Sequence, residues 1–296
     1  MRRLGEKVLE FTDEALRLTS NYARRVGTEI RNFSVNLKPG YIKMLVFDIE
    51  NDLRFFALKR ATEHRSQRVE AVDVREALKK FGKPEEFVKS RFRKTETCAD
   101  SQRITLSNLG TMKEKLEKIH KPMVLDAGCR WGRVSKKLKD FCARDLEIVG
   151  VDLDKLSLQY GKTVNRTAVF LRSDIQALPL KDQVFDIIVC SGVIHEVKNL
   201  KGRRKAIEEL CRVLSPNGLL YMVDAFTKFR IISALTFVFQ HVIHIVEWIP
   251  KKETIEKMLR ENGLKIVSIE GSGTYLGGTI TPYTLAAIRA PRPEGS

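Results

Sequence analysis

The sequence predicts a two-part chain: a small all-α N-terminal domain, then a larger α/β domain with a doubly wound, mostly parallel sheet. Three observations carry this. Between Lys94 and Gln102 the chain turns polar (Thr95-Glu-Thr-Cys-Ala-Asp-Ser-Gln), which marks a linker. Before it, apolar residues recur at helical spacing; after it, runs rich in Val, Ile, Leu and Phe alternate with amphipathic stretches. Heading the second part, Met123 to Leu138 reads as a short buried strand, a Gly-containing turn and an amphipathic helix. The expected boundaries are a helical domain over 1–94, a linker over 95–109 and the α/β domain over 110–290, with an apolar insertion at 227–250.

In chain order, Val8, Leu9, Phe11, Ala15, Leu16, Leu18, Tyr22 and Ala23 mark a helix from Glu6 to about Glu29. A loop containing Pro39-Gly40 leads to a long helix from about Tyr41 to His64, with Leu45, Ile49, Leu53 and Ala57 in its stripe. A short helix from Val72 to Phe81 is stopped by Gly82 and Pro84. The long helix, the basic loop with Arg60, Arg65 and Arg68, and Val69-Glu-Ala-Val-Asp73-Val74-Arg-Glu-Ala77-Leu78 weakly resemble a histone fold. That resemblance implies DNA or RNA contact, because Lys and Arg of such a loop neutralise phosphates. The same residues also read as the solvated face of a helical accessory domain.

The bulk composition bounds the partners. With 53 Lys and Arg against 37 Asp and Glu, the net charge is +16 and the pI about 9.7, which favours polyanions, nucleic acid first, although solubility alone accounts for it too. The 43% hydrophobic and 30% charged residues suit a soluble globular protein with a sizeable core. The five cysteines (Cys98, Cys129, Cys142, Cys190 and Cys211) form no C-x-x-C pair and read as reduced, small apolar residues of a cytoplasmic protein. Met1-Arg-Arg-Leu-Gly-Glu-Lys leads into charged helical sequence rather than the apolar core of a signal peptide.

The second part carries the chemistry. Gly128 and Gly132 let backbone N–H groups at a helix start approach a small polar ligand. The pattern is Asp-x-Gly-x-x-x-Gly rather than G-x-G-x-x-G, and a carboxylate at Asp126 repels a pyrophosphate but can hold an ammonium group. The next apolar run, Glu147-Ile-Val-Gly-Val-Asp152, ends in an acid 24 residues after Gly128. Phe170-Leu-Arg-Ser-Asp174-Ile-Gln, Phe185-Asp186-Ile-Ile-Val-Cys-Ser191-Gly-Val-Ile-His195 and Leu210-Cys-Arg-Val-Leu-Ser-Pro216-Asn217-Gly218-Leu-Leu-Tyr-Met-Val-Asp224 follow in order. Helices separate these runs at about 131–143, 154–163, 201–214 and 252–262, and Lys265 to Glu270 and Thr284 to Arg289 close the chain.

Taken in this order, these stretches resemble the class I S-adenosylmethionine (SAM)-dependent methyltransferases, in particular the quinone-biosynthesis and small-molecule enzymes. The resemblance implies a Rossmann-like sheet with an antiparallel last strand. It implies SAM as cofactor, held by Asp126, Gly128 and Gly132 at the turn, Asp152 and Leu153 at the ribose, Asp174 and Ile175 at the adenine and Ser191 at the methionine end. The family commonly has Gly where this chain has Arg130, whose side chain can crowd the cofactor or point to solvent.

Methyl transfer from a sulfonium is an in-line displacement, so positioning does most of the work and no metal is needed. A base is required only for a weakly acidic acceptor. His195, Asp224, His241 and His244 are the candidates, with His195 first because strand tips face the ligand crevice, and a loop-holding role as its alternative. His241, His244 and Glu247 are not read as a metal site, because that spacing carries Glu247 round the helix. The apolar stretch Ile231 to Ile249 is interrupted by Gln240, His241, His244 and Glu247, which argues against a membrane span. It suits a lid over an apolar small-molecule acceptor, packing on the sheet, or a homodimer contact.

No Asp/Asn-Pro-Pro-Tyr/Phe motif and no Pro-Cys follows the fourth apolar run, so the domain does not read as a DNA-base methyltransferase. The leading expectation is a SAM-dependent methyltransferase with a small-molecule acceptor. The alternative is a nucleic-acid-associated protein whose second domain senses SAM or methylates RNA or protein.

Overall fold

The computed structural model of the chain describes residues 9–33, 39–92, 110–141, 145–227, 250–271 and 280–290. The chain divides into two compact units, Met1–Ala99 and Asp100–Ser296. The expected insertion at 227–250 lies almost wholly outside the described residues, as do His241, His244, Glu247, Cys98 and Cys142. Among the described residues no helix is long and apolar enough to cross a membrane, and no cluster of three potential metal ligands occurs.

The first unit is helical: α1 (Asp13–Phe33), α2 (Pro39–Glu63), α3 (Ala71–Phe81) and α4 (Pro84–Phe92). Helices α1 and α2 run antiparallel, since Gly27 abuts Val46 while Ser20, a turn or two earlier, meets Glu50 and Arg54. The first helix starts seven residues later than its apolar pattern suggests (Asp13 against Glu6). Phe11 instead forms a parallel bridge with Val69, and the Thr12 hydroxyl accepts from the Ala15 N–H, capping α1. Pro39 opens α2 rather than sitting in a loop, because a first-turn residue needs no N–H donor. Helix α4 goes beyond the sequence expectation; Phe87 on it stacks on Phe81, and Tyr22 meets both rings edge-on.

The second unit begins with α5 (Gly110–Lys118), followed by β1 (Met123–Ala127), α6 (Arg133–Phe141), β2 (Glu147–Asp152), α7 (Lys155–Val164), β3 (Val169–Arg172) and β4 (Phe185–Ser191). A short 3-10 turn, Ile194–Glu196, then leads to α8 (Leu200–Val213), β5 (Leu214–Thr227), α9 (Lys252–Glu261), β6 (Leu264–Gly271) and β7 (Ile280–Arg289). The strands form one sheet in the order β3-β2-β1-β4-β5-β7-β6. Strands β1 to β5 pair in parallel, and β7 runs antiparallel to both β5 and β6.

This is the expected Rossmann-like sheet with an antiparallel last strand. Its order reverses between β1 and β4, and in such sheets the crevice at that switch point takes the ligand. The core is formed by Leu125, Val151, Ile188, Leu220 and Met222 from the strands and Ile207 and Leu210 from α8, all at most 1% exposed.

Candidate functional site

The carboxyl ends of the parallel strands carry, in turn, Asp126, Asp152, the Ser173-Asp174 pair just past β3, Ser191 and Asp224. Each behaves differently. Asp126 is buried, and its Oδ2 accepts from the Ser135 N–H at 3.0 Å and the Ser135 hydroxyl at 2.6 Å. It thus anchors the first turn of α6 to β1. Burial pushes its carboxyl up to about 6, against the Ser135 hydrogen bonds that pull it down.

Between them lies the glycine turn. Gly128 has φ +74° and a side chain there would meet Val193 Cγ2 at 2.1 Å; Gly132 has φ +79° and would meet the Phe170 ring at 2.6 Å. Both positions therefore need glycine twice over, for conformation and for close packing. Arg130 is exposed and also sits in the left-handed region, with φ 49°. Its backbone N–H donates to Asp152 Oδ2 at 2.7 Å, while the Asp154 N–H donates to Oδ1 at 2.9 Å.

Asp152 is only half-buried, and a carboxylate offers about four acceptor positions, so two backbone donors leave capacity for a ligand hydroxyl. Leu153 beside it is 59% exposed, an apolar surface at the mouth of the crevice. The Ser173 N–H donates to the Asp152 carbonyl at 3.0 Å, which brings the ends of β2 and β3 together. Asp174 is half-buried and accepts from the Gln176 N–H at 2.9 Å; Ile175 is buried and packs with the core.

On the other side of the switch point, Ser191 is half-buried and Gly192 donates to the Val223 carbonyl at 2.8 Å. Val193 then packs over Gly128, joining this turn to the glycine turn. His195 is 7% exposed, and its Nδ1 lies 2.5 Å from Asp224 Oδ1. Asp224 Oδ2 accepts the N–H groups of Ile194 at 2.8 Å and His195 at 3.3 Å.

Three contacts at the site escaped sequence reasoning. His195 and Asp224 stood as separate candidates, and only the pairing of β4 with β5 makes them partners. Arg203, which lies in the helix expected over 201–214 and was not singled out, is fully buried and donates to the carbonyls of His195 and Val197 at 2.8 Å. Ser135 likewise carried no signal beyond its place in an amphipathic helix.

The acceptor set suits groups that donate hydrogen bonds, such as a diol or an amino group. The half-buried carboxylates of Asp152 and Asp174 disfavour a phosphate. Residues 125–222 match the family model described as a methyltransferase domain. The chain is 31% identical over 106 residues to a malonyl-[acyl-carrier protein] O-methyltransferase of Buchnera aphidicola, covering 36% of this chain and 40% of that protein.

It is 34% identical over 83 residues to the ubiquinone/menaquinone biosynthesis C-methyltransferase UbiE of Campylobacter jejuni, covering 28% and 34%. The match thus spans less than half the length of these relatives. Among solved structures, a SAM-dependent methyltransferase from Methanosarcina mazei superposes with a TM-score of 0.50 at 18% identity, covering 60% of this chain and 97% of that one. These matches give no support to the histone resemblance of the first unit, to nucleic-acid binding or to a dimer.

Proposed function

We propose that the second unit, whose residues 125–222 match a methyltransferase domain model, works as a class I SAM-dependent methyltransferase and transfers a methyl group from SAM to a small-molecule acceptor. The observation that carries this reading is the half-buried Asp152 carboxylate, tied to the glycine turn through the Arg130 N–H and beside the exposed Leu153. Asp152 would accept the ribose hydroxyls, Leu153 and Ile175 would flank the adenine, and Asp174 would accept its amino group. Ser191 would line the methionine end.

Gly128 and Gly132 let the backbone come close to the ligand. Asp126, whose Oδ2 is engaged by Ser135, holds the turn and offers negative charge to an ammonium group. When bound, SAM supplies a methyl group on a sulfonium, open to in-line displacement. The chain contributes position and a water-poor setting. His195 is the catalytic candidate, and the apolar composition of Ile231 to Ile249 supports an apolar acceptor.

Calorimetric titration with SAM and S-adenosylhomocysteine tests the reading. Both should bind, and Asp152→Ala should weaken SAM by about 10- to 100-fold, the loss of one to two hydrogen bonds to a charged group. Unchanged affinity would refute the ribose assignment. A radiolabelled-methyl screen over small-molecule, RNA and protein pools then identifies the acceptor class.

A further inference from the structure

The turn after β3 is closed by its own backbone. The Asp174 carbonyl accepts from the Ala177 N–H at 3.0 Å, and Asp174 Oδ1 accepts from the Gln176 N–H at 2.9 Å. From α8, the Glu209 carboxylate takes the Leu178 N–H at 2.7 Å and ties the turn to the helix. A turn so anchored does not need the Gln176 side chain. Yet that half-buried side chain folds back onto Asp174, with Nε2 3.3 Å from Oδ1 and 3.4 Å from Oδ2. An ionised carboxylate only accepts, so the NH2 end of the amide is the one that faces it.

The other end of the amide explains a glycine. Gly202 lies in the first turn of α8, where alanine is the better helix former. A Cβ on Gly202 would come 2.5 Å from Gln176 Oε1 and 3.0 Å from Val197 Cγ1. The missing side chain leaves the room in which the amide is lodged, between Asp174 and the helix. A carboxylate has about four acceptor positions. The Gln176 backbone takes one on Oδ1 and its side chain straddles the two oxygens, so Oδ2 keeps an acceptor position.

We propose that Gln176 is a positioning residue for base recognition: lodged against Gly202, its amide holds the Asp174 carboxylate so that the remaining acceptor position takes the amino group of an adenine and refuses a carbonyl. The inference rests on the methyltransferase reading above and deepens its assignment of Asp174. An amino group donates to a carboxylate, whereas the carbonyl of hypoxanthine, at the same ring position, sets a second acceptor against it. A carboxylate already held in one orientation has little freedom left to lose when the base arrives, which favours the matched base.

The test titrates the full chain by calorimetry with two ligands that differ at that one ring position, S-adenosylhomocysteine and S-inosylhomocysteine. The parent should prefer the adenine ligand by about 100-fold, the worth of a hydrogen bond to a charged group. Gln176→Leu should lose about 10-fold of that preference, through weaker adenine binding with the hypoxanthine ligand unchanged. Gly202→Ala should do the same from α8, because its Cβ drives the far end of the Gln176 side chain out of place. The double variant should lose no more than either single one, since both remove the same contact.

A merely structural role would weaken both ligands alike and leave their ratio at the parent's value, and that result in both single variants would overturn the proposal. So would a Gln176→Leu protein that binds S-adenosylhomocysteine more tightly than the parent, because the amide would then be competing with the base. Asp174→Asn separates the proposal from the assignment beneath it. Its amide can accept from an amino group or donate to a carbonyl, so the ratio should move towards one. If Asp174→Asn keeps the parent's ratio, the adenine assignment fails and the proposal falls with it. If the parent binds neither ligand, the methyltransferase reading itself fails.

Discussion

The two Asp residues at the ends of β2 and β5 make an instructive pair. Asp152 and Asp224 each accept two backbone N–H groups, Asp152 from the turns after β1 and β2 and Asp224 from the turn after β4. Asp152 is half-buried and retains acceptor capacity toward the crevice, whereas Asp224 is buried and also holds an imidazole. The same side chain in the same kind of place is a half-exposed acceptor in one case and a buried scaffold in the other. Exposure and the third partner decide, not residue type.

Removing Asp224 breaks that contrast most sharply. Asp224→Ala leaves two buried N–H groups and the ring without their acceptor, and should cost about 3–5 kcal/mol of stability by chemical denaturation. A loss below about 1 kcal/mol would mean that the turn holds itself. Asp126 provides the next largest effect, through pH. Its folded-state value of about 6 lies above the ordinary 3.8, so the native state binds the extra proton. The favourable contribution is complete below the unfolded value and is lost as pH rises through the folded one.

Stability should therefore fall by about 3 kcal/mol between roughly pH 4 and pH 6 on account of this group. Asp126→Asn, which still accepts from Ser135, should flatten that stretch of the stability–pH curve. Asp152→Ala should cost only about 1 kcal/mol, because the freed amides of Arg130 and Asp154 lie at an exposed turn where water can reach them. A cost equal to that of Asp224→Ala would erase the distinction between the two sites. Smallest is Arg130→Gly, expected to raise stability by up to about 1 kcal/mol by relieving the left-handed conformation. It should leave the Arg130 N–H bond to Asp152 in place, and SAM affinity unchanged or improved.

Much of the second unit was readable in the sequence. The central strands β1, β2 and β4 are nearly continuous apolar runs, because a parallel strand covered on both faces has no polar side to dilute the signal. The acids at Asp126, Asp152 and Asp174 stand out because they end such runs. The first unit was harder. Phe11 looks helical by spacing and is engaged instead in a bridge to Val69, a partner 58 residues away (69 − 11) that no local pattern announces. Helix α4 is short, begins at Pro84 and is stabilised by aromatic packing onto Phe81 and Tyr22 rather than by its own periodicity.

What the sequence determined by itself is the order of strands, turns and acids, since local periodicity and glycine placement are written in consecutive residues. What only the tertiary structure decided is which polar groups become partners. Arg203 is buried against the His195 turn instead of lying in solvent, and Asp126 binds Ser135 nine residues on (135 − 126). Those outcomes depend on how a helix is rolled against the sheet, and a rotation of one residue, about 100°, carries a side chain from the core to water.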